Sequence, residues 1–285
     1  MNAQSMEELK SMKTDKQASI DAIQAEIDGI QKQINELPGW STQILGTLGG
    51  NFSGFSNWIA NENNNSTSNS FVFDLFGTAR YNGDKHFLYN DAILSLGSLT
   101  TDLNTKDDMD GVTATVPNKL NLSSLYGYKL TKTIALSGGL AYNTGILGDN
   151  VFNNPGDLDI GIGATWTPIK DFYLMVHPIN YHWKFGDDPN FNSALGAKIK
   201  AGYARELYKG IAWVSNLEGF YAYSNPASPS PNNHWYEWTN TFAFSIWKGI
   251  GVGFTYGLRT AASETFGSED GDTQSRYSLG LSYTL

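Results

Sequence analysis

Ile250-Gly251-Val252-Gly253-Phe254-Thr255-Tyr256-Gly257-Leu258 carries a large apolar side chain at every even position and glycine or threonine at every odd one. Successive side chains of an extended strand point to opposite faces, so this stretch has one greasy face and one small, polar face. The same period of two recurs along the chain. Leu158, Ile160, Ile162, Ala164 and Trp166 alternate with Asp159, Gly161, Gly163, Thr165 and Thr167. Leu195, Ala197, Ile199, Ala201 and Tyr203 alternate with Gly196, Lys198, Lys200 and Gly202. Tyr277, Leu279, Leu281, Tyr283 and Leu285 alternate with Arg276, Ser278, Gly280, Ser282 and Thr284. Phe71, Phe73 and Leu75 follow the rule less cleanly, with Phe76 on the other face.

Extended outward from these stretches, the pattern predicts twelve strands, at about 42–57, 70–82, 86–100, 119–131, 133–146, 157–168, 171–183, 194–207, 210–223, 234–247, 249–260 and 274–285. These outrun the roughly five or six residues usual in soluble sheets and meet the roughly 9–11 that a tilted strand needs to cross a bilayer. Connections between them alternate in length without a break. Long segments (58–69, with Asn61-Glu62-Asn63-Asn64-Asn65; 101–118; 147–156; 184–193; 224–233; 261–273) follow every odd strand, and tight turns such as Asn82-Gly83-Asp84 follow every even one. A soluble sandwich has no reason to sort its loops by length onto one edge, whereas outer-membrane barrels put long loops outside and short turns in the periplasm. The implied fold is an all-β transmembrane barrel of twelve antiparallel up-and-down strands over residues 40–285. An even strand count returns both termini to the periplasmic side.

Composition agrees. Aromatic residues make up 13%, charged residues only 16%, and there are 30 glycines. No run of eighteen apolar residues exists, which excludes a helical membrane span. Cysteine is absent, removing disulfides and thiolate chemistry, and a formal charge of −9 argues against nucleic acid as a partner. Trp40, Trp166, Phe172, Tyr208 and Trp247 sit beside tight turns, and Trp58, Trp183, Tyr223, Trp235 and Trp238 beside long loops. Two such belts are what the interfaces between membrane and water select. Met1-Asn2-Ala3-Gln4 leads straight into a polar segment with no export leader, so the barrel reading expects a mature chain.

Residues 5–37 follow a different period. Ser5 and Glu8 have the spacing of a capping box, and Pro38-Gly39 supplies a stop. Ile20, Ile23, Ile27, Ile30, Ile34 and Leu37 recur at intervals of 3, 4, 3, 4 and 3, the seam of a coiled coil. Isoleucine at both seam positions favours three strands over two, although Lys13 and Lys16 weaken the first half. This helix, periplasmic by topology, is expected to form a homo-oligomer, a trimer for preference, or to dock onto a partner in a hetero-complex. The bland alternatives are a seam lying on its own barrel and a solvated helix with slight apolar bias.

Ser278-Leu279-Gly280-Leu281-Ser282-Tyr283-Thr284-Leu285 resembles the C-terminal signal read by the barrel-assembly machinery, with Ser278, Gly280, Tyr283 and Leu285 at the specified positions. Leu285 replaces the commoner terminal aromatic. The order of heptad helix, Leu37-Pro38-Gly39-Trp40, Gly50-Asn51-Phe52-Ser53-Gly54-Phe55-Ser56-Asn57-Trp58 and Leu88-Tyr89-Asn90-Asp91 is similar to an exported barrel family of the Bacteroidota, classed as a domain of unknown function. That resemblance implies an outer-membrane location in contact with lipid, and supplies no activity and no functional residues.

Strand parity places Asp74, Arg80, Lys129, Asp159, Lys198, Lys200, Glu218, Glu237, Arg259 and Arg276 inside the barrel, provided no bulge intervenes. Charges of both signs read first as cross-braces of a filled lumen and second as the lining of a narrow path, in which Lys198 and Lys200 would favour an anion. A twelve-strand lumen is narrower than that of the sixteen- to eighteen-strand porins. His177 and His182, five apart on one strand, fall on opposite faces by simple alternation, which argues against a shared metal. Asp107-Asp108-Met109-Asp110-Gly111 lacks the spacing of a calcium loop. No cofactor and no metal site is expected, nor any motif for a serine hydrolase. The leading expectation is a non-enzymatic outer-membrane protein whose helix mediates assembly; the alternative is a small-solute channel, and an outer-membrane enzyme such as a lipase comes last.

Overall fold

The computed structural model describes residues 5–36, 39–56, 66–103, 112–114, 118–147, 152–154, 156–169, 171–186, 193–208, 210–223, 234–247, 249–261 and 273–284. Helix α1 spans Met6–Glu36. Its capping box is formed: the Ser5 backbone N–H donates to Glu8 Oε2 at 3.0 Å, and the Glu8 N–H donates to Ser5 Oγ at 3.2 Å. Two of the amides left open at a helix start are thereby satisfied. Every residue from 5 to 27 is exposed.

The strands are β1 (Gly39–Ser56), β2 (Ser66–Asn82), β3 (His86–Leu103), β4 (Val112–Ala114), β5 (Asn118–Lys129), β6 (Ile134–Leu147), β7 (Gly156–Ile169), β8 (Phe172–Phe185), β9 (Ala194–Tyr208), β10 (Ile211–Ala222), β11 (Trp235–Trp247), β12 (Ile250–Ala261) and β13 (Thr273–Thr284). All pairings are antiparallel. Neighbours follow chain order, β1 pairs with β13, and β2 pairs with β3, so the sheet closes on itself. Among the described residues, short β4 pairs only with the far end of β3, which leaves twelve strands in the wall. The barrel expected from alternation is the fold.

Boundaries differ most from the sequence reading at β1, β3 and the start of β2, which begins at Ser66 where about residue 70 was expected. β1 begins at Gly39, and β3 runs on to Leu103 opposite Ser66 before β4 folds back onto it. Residues 101–118 are therefore not one unbroken loop. Thr67, Ser68, Asn69, Thr100 and Thr101 have no greasy face to alternate, yet their backbones still pair beyond the membrane-sized part of the wall. At the opposite end the chain reverses sharply. Gly210 and Gly249 close two of the tight turns with φ of +76° and +85°, left-handed values that cost other residues a steric penalty.

Register assigns the faces. The outward parity holds Ile44, Leu48 and Phe52 on β1, Leu136 and Leu140 on β6, Ile160 and Ile162 on β7, and Leu279, Leu281 and Tyr283 on β13, all exposed. Among outward residues whose side chains are described, Arg205, at the tight-turn end of β9, is the one carrying charge. Polar groups on that face find partners on the face itself: Trp213 Nε1 donates to Asn240 Oδ1 at 3.2 Å, and Trp238 Nε1 to Ser215 Oγ at 2.9 Å. Such segregation suits a surface bathed in hydrocarbon, where an unpaired polar group has no water to turn to.

Candidate functional site

Because large apolar side chains point out, what the barrel buries is its lumen. Asp74 accepts a hydrogen bond from Ser95 Oγ at 2.6 Å. Arg80 pairs with Asp91 at 3.1 Å and stacks its guanidinium 5.5 Å above the Tyr89 ring. Lys129 Nζ donates to Asn82 Oδ1 and to the Gly83 carbonyl, each at 2.8 Å, pinning the first tight turn. Lys198 Nζ lies 3.0 Å from Asp159 Oδ2 and 2.8 Å from Glu218 Oε1. Lys200 sits opposite Glu218 in the β9–β10 register. Glu237 binds Arg259 at 3.3 Å and Arg276 at 2.7 Å. All ten side chains take the inward parity, and the structure gathers most of them into two networks, one on β7–β10 and one on β11–β13.

Further lumen charges not singled out in the sequence include Asp91, Lys119, Asp157 and Lys184. Register would have found each: Asp91 pairs with Thr78, Lys119 with Ser95, and Asp157 with Lys184. Lys119 on β5 has Asp157, Arg276, Glu237 and Lys184 as its electrostatic neighbours, two of them from strands far around the wall.

The two-histidine argument is overturned by a bulge. The β8–β9 register shifts between His177 and Asn180, and the β7–β8 register between Ile162 and Ala164. Pro178 and Ile179 both turn outward there, so His177, Asn180 and His182 all face the lumen. Proline has no N–H to give the ladder, which makes this the natural place for it to break. His177 is 1% exposed and sits where glycine is required: a Cβ at Gly139 or Gly161 would come within 3.0 Å of its ring. Thr165 Oγ1 donates to Ser137 Oγ at 2.9 Å, and Ser137 Oγ lies 3.0 Å from His177 Nε2. Asn180 Nδ2 donates to Asp159 Oδ1 at 2.8 Å, and His182 Nδ1 lies 3.2 Å from the same oxygen. A hydroxyl beside an imidazole is half of a nucleophile, but Ser137 is packed into the wall and works as a brace.

Asp157, Asp159 and His182 bring three possible ligand atoms within 4.8 Å of one another. Their types suit a divalent cation. The Lys198 ammonium, however, already places a positive charge at Asp159.

Trp235 departs from the expected aromatic belt. It pairs with Phe220 in register and points into the lumen, against buried Ala194, Phe220 and Ala222. Lys198 Nζ lies 4.8 Å from its ring centroid and the Arg259 guanidinium 5.4 Å. The indole thus bridges the two ionic networks through two cation–π contacts. Trp40, Trp166, Tyr208, Trp247, Tyr223 and Trp238 are exposed on the outer face.

Below this packed level, toward the tight turns, the lumen opens into a vestibule of about 1140 Å³. Its mouth is formed by Asn82, Thr131 to Thr133 and Thr167 to Ile169, and its inner end by Asp159, His177, Asn180, Lys198 and Glu218. Tyr89, Tyr173, Arg80, Asp91 and Lys200 line the walls between.

The remaining residues singled out in the sequence lie apart from the lumen chemistry. Ile20, Ile23, Ile27 and Ile30 are exposed on α1. Ile34 lies in the helix with its side chain outside the described set, as are Leu37, Pro38, Trp58, Asn61 to Asn65, Asp107 to Gly111 and Leu285. On β13, Ser278 and Gly280 take the inward parity and Tyr283 the outward one. A Cβ on Gly280 would collide with the Asn51 side chain.

Comparison with known proteins gives a partial family match and several barrels. A protein family of unknown function (DUF3078) matches residues 51–148. No curated protein matches the chain. Among solved structures, an outer membrane channel from Pseudomonas putida F1 is similar, with 14% identity and a TM-score of 0.48, over 87% of this chain and 96% of that one. The NanC porin aligns at 11% identity and a TM-score of 0.43, over 84% of this chain and all of that one. The outer membrane channel DcaP of Acinetobacter baumannii aligns at 9% identity and a TM-score of 0.44, over 87% and 98% respectively.

Proposed function

We propose that the protein is an outer-membrane barrel that passes a small polar solute along a constricted lumen, with its tight turns, helix α1 and the end of β13 on the periplasmic side. The carrying observation is the lumen itself: a vestibule of about 1140 Å³ at the tight-turn end, leading to a level where Trp235 and two ionic networks fill one side. A barrel needed only as a wall has no use for such a chamber. Narrow passage at a charged constriction is how small barrels select their solutes. The test is planar-bilayer conductance of the purified full chain. Trp235→Ala removes the bridge between the networks and is expected to raise single-channel conductance at least two-fold over the wild type. Silence from both proteins, at any voltage, would sink the reading.

The second reading, assembly through α1, has its own support. Four seam isoleucines, Ile20, Ile23, Ile27 and Ile30, are 52–58% exposed along one line of the helix. A single copy has no reason to present that line to water. Three α1 helices, or one and a partner's, would cover it. Ile20→Asp combined with Ile27→Asp is expected to convert a defined oligomer in detergent to monomers, read by native mass spectrometry. A wild type that is already monomeric defeats this reading and leaves the first intact. The β13 pattern favours the barrel-assembly machinery as an insertion partner, and the order of helix and barrel favours an origin in the Bacteroidota.

A further inference from the structure

We infer that the vestibule is a binding site for a small organic carboxylate with a flat body, taken up from the tight-turn side and anchored by Lys200 with Arg80 beside it. This rests on reading the lumen as a solute path, and names what that path would hold.

The vestibule's cations differ in what they already hold. Lys198 is taken by two carboxylates, Asp159 and Glu218. Lys129 is spent on the first tight turn. Arg80 has one partner, Asp91, and its side chain is 52% exposed to the chamber. Lys200 makes no hydrogen bond or ion pair with any described residue. Five basic side chains line the vestibule against four carboxylates, in a chain whose formal charge is −9. An acidic protein that keeps a cationic chamber, in which Lys200 (opposite Glu218) and Lys132 at the mouth make no hydrogen bond or ion pair with described residues, has the electrostatics to draw in an anion.

The walls define the rest of the ligand. Phe87 and Tyr89 stack with ring centroids 4.7 Å apart at 25°, and Arg80 continues the stack on the Tyr89 ring. Tyr173 stands on another wall, its seat cleared by Gly202, where a Cβ would strike the ring. Lys200, Glu218, Asp91 and Arg80 are its electrostatic neighbours, so both cations share this part of the chamber with the phenol. A chamber walled by aromatic faces and tipped with a guanidinium and an ammonium suits a planar body ending in a carboxylate. A bare inorganic anion would leave the rings unused. A neutral ring would leave the ammonium unused.

The experiment is calorimetric titration of the full chain in detergent with 4-hydroxybenzoate, against 4-hydroxybenzyl alcohol (same ring, no charge) and inorganic phosphate (charge, no ring). The carboxylate is expected to bind at least ten-fold tighter than either control. Lys200→Gln is expected to weaken it at least ten-fold, and Lys200→Arg to restore most of the loss. Heat-dependent gel mobility of each variant confirms that the barrel has formed. Equal binding of the alcohol overturns the charge anchor, and equal binding of phosphate overturns the flat body. No binding at millimolar ligand, or a Lys200→Gln protein that binds like the wild type, overturns the site. Binding here needs no current: a protein that binds the carboxylate but stays silent in bilayers sinks the conduction reading alone.

Discussion

Replacing Lys198 with alanine is expected to cost the barrel about 3–5 kcal/mol, the usual effect of removing one member of a buried ion group. Lys198 and Asp159 are 6% and 5% exposed. With the ammonium gone, Asp159 keeps the Asn180 amide but must share its corner with the Glu218 carboxylate, a like charge with little water to screen it. Replacing the whole group, Lys198→Met with Asp159→Asn and Glu218→Gln, is expected to recover most of the loss, because what is costly is a buried charge without its partner. Urea unfolding of protein refolded into lipid vesicles measures both. A single variant within about 1 kcal/mol of the wild type would show that water reaches this corner freely.

Ile160→Arg should cost about 2–4 kcal/mol, as a cation does on the lipid face near the bilayer midplane. Ile160 pairs with Leu140 on one side and Tyr181 on the other, well inside the outer apolar band. Ser123→Arg places the same side chain in the vestibule, opposite Asp91 in register, and should cost less than about 1 kcal/mol. The contrast between them tests the face assignment. Should the two arginines cost alike, the outer surface does not meet lipid.

Much of the wall could be read in the sequence. Residues 158–167 of β7, 250–258 of β12 and 276–283 of β13 alternate between apolar and small or polar residues, so their faces follow from parity alone. The ends of β1 and β3 were less legible, because polar runs pair by backbone without alternating. The β8 bulge was the costliest miss. Tyr173-Leu174-Met175-Val176-His177-Pro178-Ile179 is apolar on both faces, so nothing in it betrays a slip of register, and without the slip His177 and His182 cannot share the lumen. Asp91 was hidden in the same way, by Ile93 two residues on. Trp235 was misplaced because nearness to a loop fixes a residue's height along the barrel but not its direction; only its pairing with Phe220 turns it inward. The vestibule could not be foreseen from any one segment, since its walls come from strands far apart in the chain.

Helix α1 also sets a ruler. Its 31 residues span about 46 Å at 1.5 Å each. Two residues join it to Gly39, adding roughly 10 Å when fully drawn out. Whatever grips the far tip must therefore stand within about 60 Å of the chamber's mouth.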